Sequence, residues 1–227
     1  YTNDKEAKQT FKHTFKNERV TAKISLQKQD KENKKAVPQG DATLEKAVYG
    51  LYAREDIVHP DGATGVVYKA GEQVATLTTD KNGQASVDGL YLGNYYVKEI
   101  TPPTGYLADE EEHDLVCNYE GDLVAEVKRE CLSLEQVMKQ PFQIIKAANN
   151  GKTDADLLKG AGFTAYLVSS LKVNEDGSYD FDSAKPVVIG ENGATEIFTD
   201  KKGYACSIAI PYGTYIVRET TTPHNYT

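Results

Sequence analysis

An internal repeat limits what this chain can fold into more than any other feature. Thr79-Asp80-Lys81-Asn82-Gly83 returns as Thr199-Asp200-Lys201-Lys202-Gly203, an offset of 120 residues. The same offset carries Gly93-Asn94-Tyr95-Tyr96-Val97-Lys98-Glu99 onto Gly213-Thr214-Tyr215-Ile216-Val217-Arg218-Glu219, and Pro103 onto Pro223. Upstream, residues 44–49 resemble 158–163 and residues 24–28 resemble 142–146, at offsets of 114 and 118. Offsets that differ by a few residues fit loop insertions between matched elements, so the chain reads as two copies of one unit.

Each copy has the punctuation of a β domain. With 15 Tyr, no Trp and frequent Thr and Val, the side chains suit a pleated, half-buried surface. Asp80–Gly83 and Asp200–Gly203 have the composition of hairpin turns, with glycine at the position that needs positive φ. Pro102 and Pro103 end the strand before them, because proline cannot donate to a ladder. Strands at this spacing predict tandem antiparallel β-sandwiches; residues 130–139 fit a strand or a short helix. Residues 9–17 alternate apolar and polar and fit neither copy. The expected organisation is residues 1–19 as the final strand of a preceding repeat, 20–139 as a first domain, and 140–227 as a second domain lacking its final strand.

Strand parity then places charge on the core face. Successive side chains alternate sides, so Ile24, Leu26 and Lys28 share a face, as do Phe142, Ile144 and Lys146. Tyr95, Val97 and Glu99 share one, as do Tyr215, Val217 and Glu219; in the stray segment Phe11, His13, Phe15 and Asn17 do the same. Buried unpaired charges cost several kcal/mol, so each lysine and glutamate must serve the other or some chemistry. Lysine, glutamate and asparagine can form an intramolecular amide: an apolar site favours a neutral, nucleophilic amine and a neutral acid that relays protons, and ammonia leaves. The alternative is a plain Lys–Glu ion pair at strand ends.

Leu26-Gln27-Lys28-Gln29-Asp30, Ala47-Val48-Tyr49-Gly50-Leu51-Tyr52 and the run from Gly93 through Glu99 to Thr101-Pro102-Pro103-Thr104-Gly105-Tyr106 resemble the SpaA-like and collagen-adhesin B-type domains. These are prealbumin-like, inverse immunoglobulin sandwiches of Gram-positive pilins and adhesins. The resemblance covers nearly all of residues 20–227 in two copies, the second ending Glu219-Thr220-Thr221-Thr222-Pro223-His224-Asn225-Tyr226 without the glycine. It implies that Lys28 and Lys146 are bond-forming lysines and that Glu99 and Glu219 promote the reaction. The family's acceptor is Asn, sometimes Asp, on the final strand. Asn17 fits that place for a preceding domain, residues 131–137 hold no Asn or Asp, and Asn118 is a substitute on the wrong strand.

Other chemistry finds little support. A net charge of −8 gives no electrostatic footprint for nucleic acid or an anionic membrane. Cys117, Cys131 and Cys206 read as buried thiols without a disulfide. The four histidines, His13, His59, His113 and His224, lack zinc-site spacing, and the Asp176, Asp180 and Asp182 loop reads as solvated rather than calcium-binding. Asn225-Tyr226-Thr227 matches a glycosylation acceptor. No metal, cofactor or enzyme motif is expected. The predicted function is a structural stalk in a secreted, wall-attached surface protein, with neighbouring repeats as partners and strand complementation between molecules through residues 1–19 as a further contact. The alternatives are an adhesin binding a host protein or glycan through loops 59–71 and 174–192, and an accessory module of a secreted enzyme.

Overall fold

The computed structural model describes residues 13–149 and 156–226. The first copy contributes β1 (Thr21–Asp30), β2 (Val48–Ala53), β3 (Ile57–Val58), β4 (Val66–Tyr68), β5 (Gln73–Thr78), β6 (Gln84–Leu90), β7 (Gly93–Thr101), β8 (Glu112–Cys117) and β9 (Glu126–Glu135). One sheet has the order β6-β1-β9 and the other β5-β2-β7-β8. Alternation drives the packing: β1 buries every second residue from Ala22 to Asp30, and β7 buries Tyr95, Val97 and Glu99. Ile24, Leu26, Tyr49, Leu51, Tyr95, Val97 and Val127 form the centre of the resulting sandwich. Each large apolar side chain removed from water there contributes about 1.5–3 kcal/mol.

Two features of this topology position the site. First, β9 is a strand, with Cys131, Ser133 and Glu135 turned inward, and it runs parallel to β1, pairing Thr21 with Glu126 through Asp30 with Glu135. The first and last strands of the sandwich are therefore neighbours. Second, the Thr-Asp-Lys-Asn-Gly motif is not the tip of a hairpin within one sheet. Its turn forms as expected, with Gly83 N–H donating to Asp80 O (2.9 Å) and Asp80 Oδ1 accepting from Asn82 N (2.8 Å) and Gln84 N (2.9 Å). Yet β5 and β6 lie in opposite sheets, so the turn is a corner between them. Thr79 explains why the motif starts with threonine: its buried hydroxyl donates to Leu44 O (2.6 Å) and accepts from Ala47 N (2.9 Å). Thr199 repeats this with Leu158 O (2.7 Å) and Ala161 N (3.0 Å).

The second copy contributes β10 (Lys139–Gln140), β11 (Gln143–Ile145), β12 (Gly162–Leu167), β13 (Lys172–Val173), β14 (Tyr179–Asp180), β15 (Glu196–Phe198), β16 (Tyr204–Cys206), β17 (Ile210–Pro211) and β18 (Tyr215–Thr221). Among the described residues β11 pairs only with β16, and β15-β12-β18 form the facing sheet. The strand of Lys146 thus has one sheet neighbour where the strand of Lys28 has two. Tyr215 is accordingly half-buried and Val217 exposed, against full burial of Tyr95 and Val97. The copies meet through backbone bonds, Asp41 N to Tyr212 O and Tyr212 N to Met138 O (both 2.8 Å), and through Thr214 N donating to the Asp41 carboxylate (2.9 Å).

Several expectations are corrected. Of residues 1–19, expected as the final strand of a preceding repeat, 1–12 lie outside the described residues, and 13–17 join no sheet of the described residues and are exposed. Cys117 and Cys131 are buried free thiols, but Cys206 is exposed, since Ala205 takes the inward position on β16. The Tyr119–Asp122 turn carries the chain from β8 in one sheet to β9 in the other. In the acidic loop, Asp176 Oδ1 accepts from Ser178 N (2.9 Å) and Asp180 Oδ1 from Asp182 N (3.1 Å), so these carboxylates cap their own turns.

Candidate functional site

Lys28 reaches the sandwich interior from β1. Its backbone is seated by the corner turn, with Lys28 N–H donating to Gly83 O (2.8 Å). Gly83 has φ +72°, and a Cβ there would lie 2.8 Å from Lys28 O, so this position requires glycine on both conformational and steric grounds. Lys28 Nζ donates to Glu99 Oε1 (3.1 Å) on β7 and to the Tyr49 hydroxyl (3.0 Å) on β2. It is also in direct contact with Glu135 Oε1 on β9. The three charged side chains are at most 1% exposed.

The surroundings differentiate the two carboxylates. Glu99 Oε2 accepts the Asp109 backbone N–H (2.8 Å), which fixes its orientation. Glu135 Oε1 accepts from the Tyr49 hydroxyl (2.7 Å) and from Ser133 Oγ (3.1 Å), while its Oε2 is buried with no hydrogen-bond partner. Burial pushes the Lys28 pKa down to about 8, opposed by the nearby charges of Glu99 and Asp109. Burial also lifts the Tyr49 phenol well above its ordinary range, keeping it a hydroxyl donor. A neutral amine is therefore accessible beside two carboxyl groups in a water-excluded pocket.

The proline-containing Gly-Tyr segment closes this pocket. Gly105 has φ +85°, and Tyr106 then turns inward, completely buried, with its hydroxyl donating to Asp30 Oδ2 (2.9 Å) and its ring centroid 5.9 Å from Lys28 Nζ. At the rim, Asp109 Oδ2 hydrogen-bonds His113 Nε2 (2.9 Å) and lies 3.3 Å from Ser133 Oγ. Asp109, Glu111 and His113 bring their polar atoms within 4.8 Å of one another; spacing along the sequence had not singled out His113.

In the second copy Lys146 Nζ lies 2.6 Å from Glu219 Oε2, but these side chains are 28% and 27% exposed. The seat is the same, with Lys146 N–H donating to Gly203 O (2.7 Å) and Gly203 at φ +64°. Asn225 occupies the place of Gly105 and adopts φ +70°, which asparagine tolerates better than other side chains. Tyr226 N–H donates to Pro223 O (3.1 Å) as Tyr106 N–H does to Pro103 O (3.3 Å). The missing glycine thus leaves the turn intact.

The structure brings Lys28 to Glu99 and Lys146 to Glu219. It places Asn17 and Asn118 on the exposed surface, and the described polar partners of the two lysines are carboxylates and a phenol. Tyr49, Ser133, Asp109 and Glu135 escaped the sequence reading. Parity counted inward from Cys131 would have found Ser133 and Glu135; a search confined to Asn and Asp passed over them.

A profile of the SpaA family, described as a prealbumin-like fold domain, matches residues 22–130 and 141–227. No curated protein matches the sequence. Among solved structures, the Bacillus anthracis TIE protein is 22% identical over 89% of this chain with a TM-score of 0.53. The Streptococcal ancillary pilin is 23% identical over 93% of the chain (TM-score 0.36). The shaft pilin SpaA from Lactobacillus rhamnosus GG is 18% identical over 92% of this chain and 90% of its own (TM-score 0.33). The chain spans 29% of the TIE protein structure and 57% of the ancillary pilin.

Proposed function

The chain belongs to the SpaA family of prealbumin-like fold domains, and we propose that it works as a load-bearing segment of a Gram-positive cell-surface pilin-like or adhesin protein. Residues 20–139 and 140–227 act as successive modules, joined by the Asp41, Met138 and Tyr212 contacts and partnered by neighbouring modules of the same kind. The role is mechanical, with no turnover of a separate substrate. The Lys28–Glu99 pair is the module's reactive element, able to join its first strand covalently to its last.

The observation that carries this reading is the parallel pairing of β1 with β9 along all ten residues of β1. Tension enters at the start of β1 and leaves at the end of β9. It therefore pulls the two strands in opposite directions along their length and loads the ladder's hydrogen bonds together rather than one after another. Pulling single molecules of a Lys28→Met variant, which carries no cross-link, tests this. The force needed through handles at residues 20 and 136 should exceed that through handles at residues 20 and 119; equal forces would refute the load path.

A further inference from the structure

We propose that Glu135 is the acceptor in the first module, so that Lys28 and Glu135 condense into an amide with loss of water. The proposal rests on the reading of Lys28 and Glu99 as an isopeptide-forming pair, and it replaces the expected carboxamide acceptor with a carboxylic acid.

The topology supplies the first argument. Parallel register sets Lys28 opposite Ser133, and the side chain of Glu135, two residues on and on the same inward face, meets Lys28 Nζ. Glu99 comes from the facing sheet and is tied by the Asp109 N–H, which suits a fixed proton relay better than a reacting carbon.

Charge supplies the second. Two carboxylates around one ammonium leave an excess negative charge in a site without solvent. A third argument comes from the buried Glu135 Oε2, which has no partner. Condensation removes the Lys28 and Glu135 charges together, and the unpartnered oxygen departs as water.

Neutral Lys28 Nζ attacks Cδ of protonated Glu135, and the developing charge on Oε1 is held by the Tyr49 and Ser133 hydroxyls already pointed at it. Glu99 accepts a proton from Nζ and a proton passes to Oε2; the Cδ–Oε2 bond breaks and one water is released. An N–C bond forms, a C–O bond breaks, Glu99 ends as it began, and nothing is oxidised or reduced. A surface depression lined by Asp109, His113 and Glu135 lies beside the site, on the side where the released water would leave. Holding both groups in contact in a rigid core supplies the high effective concentration that amide formation from an acid needs.

Intact mass of the denatured chain, followed by peptide mapping, tests the proposal alongside Lys28→Met and Glu135→Gln variants. The expected result is a chain lighter by one water, a branched peptide joining residues 28 and 135, and the full unmodified mass in Lys28→Met. Glu135→Gln keeps the side-chain length and should close with loss of ammonia instead. A chain lighter by ammonia and linked from Lys28 to an asparagine would overturn Glu135 as acceptor while leaving the isopeptide reading intact. So would an unmodified parent chain together with a closed Glu135→Gln variant. Unmodified mass in both would overturn the acceptor and the isopeptide reading alike.

Discussion

Replacing Gly83 by alanine tests whether the repeated corner turn really seats the lysine. The control is Gly62→Ala: Gly62 has φ +68° and nothing within 4 Å of a built Cβ, so that substitution costs only the left-handed backbone penalty of about 1 kcal/mol. Gly83 has nearly the same φ, +72°, but its Cβ would lie 2.8 Å from Lys28 O and 3.3 Å from Leu44 Cβ. The overlap is with backbone, so β1 must withdraw and loosen the Lys28 N–Gly83 O bond. That adds about 2 kcal/mol, as expected for a weakened buried amide pair. At about 4 °C per kcal/mol for a module of this size, Gly83→Ala should melt about 8 °C below Gly62→Ala. Thermal unfolding in a Lys28→Met background reads this without a covalent bond intervening. Equal melting temperatures for the two variants would refute the seating argument.

Other predictions concern neighbouring parts of the fold. Thr79→Val keeps the shape but strips the hydroxyl from Leu44 O and Ala47 N; chemical denaturation should show a loss of about 2 kcal/mol, and Thr199→Val a similar loss in the second module. With closure blocked by Glu135→Ala, Lys28 stays titratable, with a folded pKa lowered to about 8. Between that value and the unfolded value of about 10.4 the unfolded chain binds more protons, so stability should rise with pH by about 3 kcal/mol in total. A Lys28→Met/Glu135→Ala double variant, measured by urea midpoint, should lack the rise; equal slopes would contradict the assignment. A thiol reagent should label Cys206 alone in the native chain and all three cysteines after unfolding, because burial raises the pKa of Cys117 and pushes that of Cys131 up to about 11.

Much of this site was legible in the sequence because strand parity is strict. Lys28 and Glu99 sit in register with Leu26 and Val97, and one residue of slip would have put both in water. The repeat likewise exposed the Thr-Asp-Lys-x-Gly corner, although composition alone could not tell a hairpin from a turn between sheets. Local turn bonds are the same in both; only the pairing of β5 with β2 and β6 with β1 separates them. The proposed acceptor, Glu135, stayed hidden for a different reason. Its identity depends on β9 lying parallel beside β1, a contact between residues over a hundred positions apart, and on a chemical expectation that looked for amides. Cys206 was misplaced because apolar character does not fix the parity of a three-residue strand such as β16.

In the proposed closed form, tension passes from the start of β1 across a Lys28–Glu135 bond and bypasses the 106 residues between them. Extension of single molecules under force measures this directly as contour length. The native chain should release none of the enclosed segment from its first module, whereas Glu135→Ala should release it in one step of about 35 nm, from roughly 3.3 Å per residue. A native chain that releases the same step as Glu135→Ala would contradict the claim.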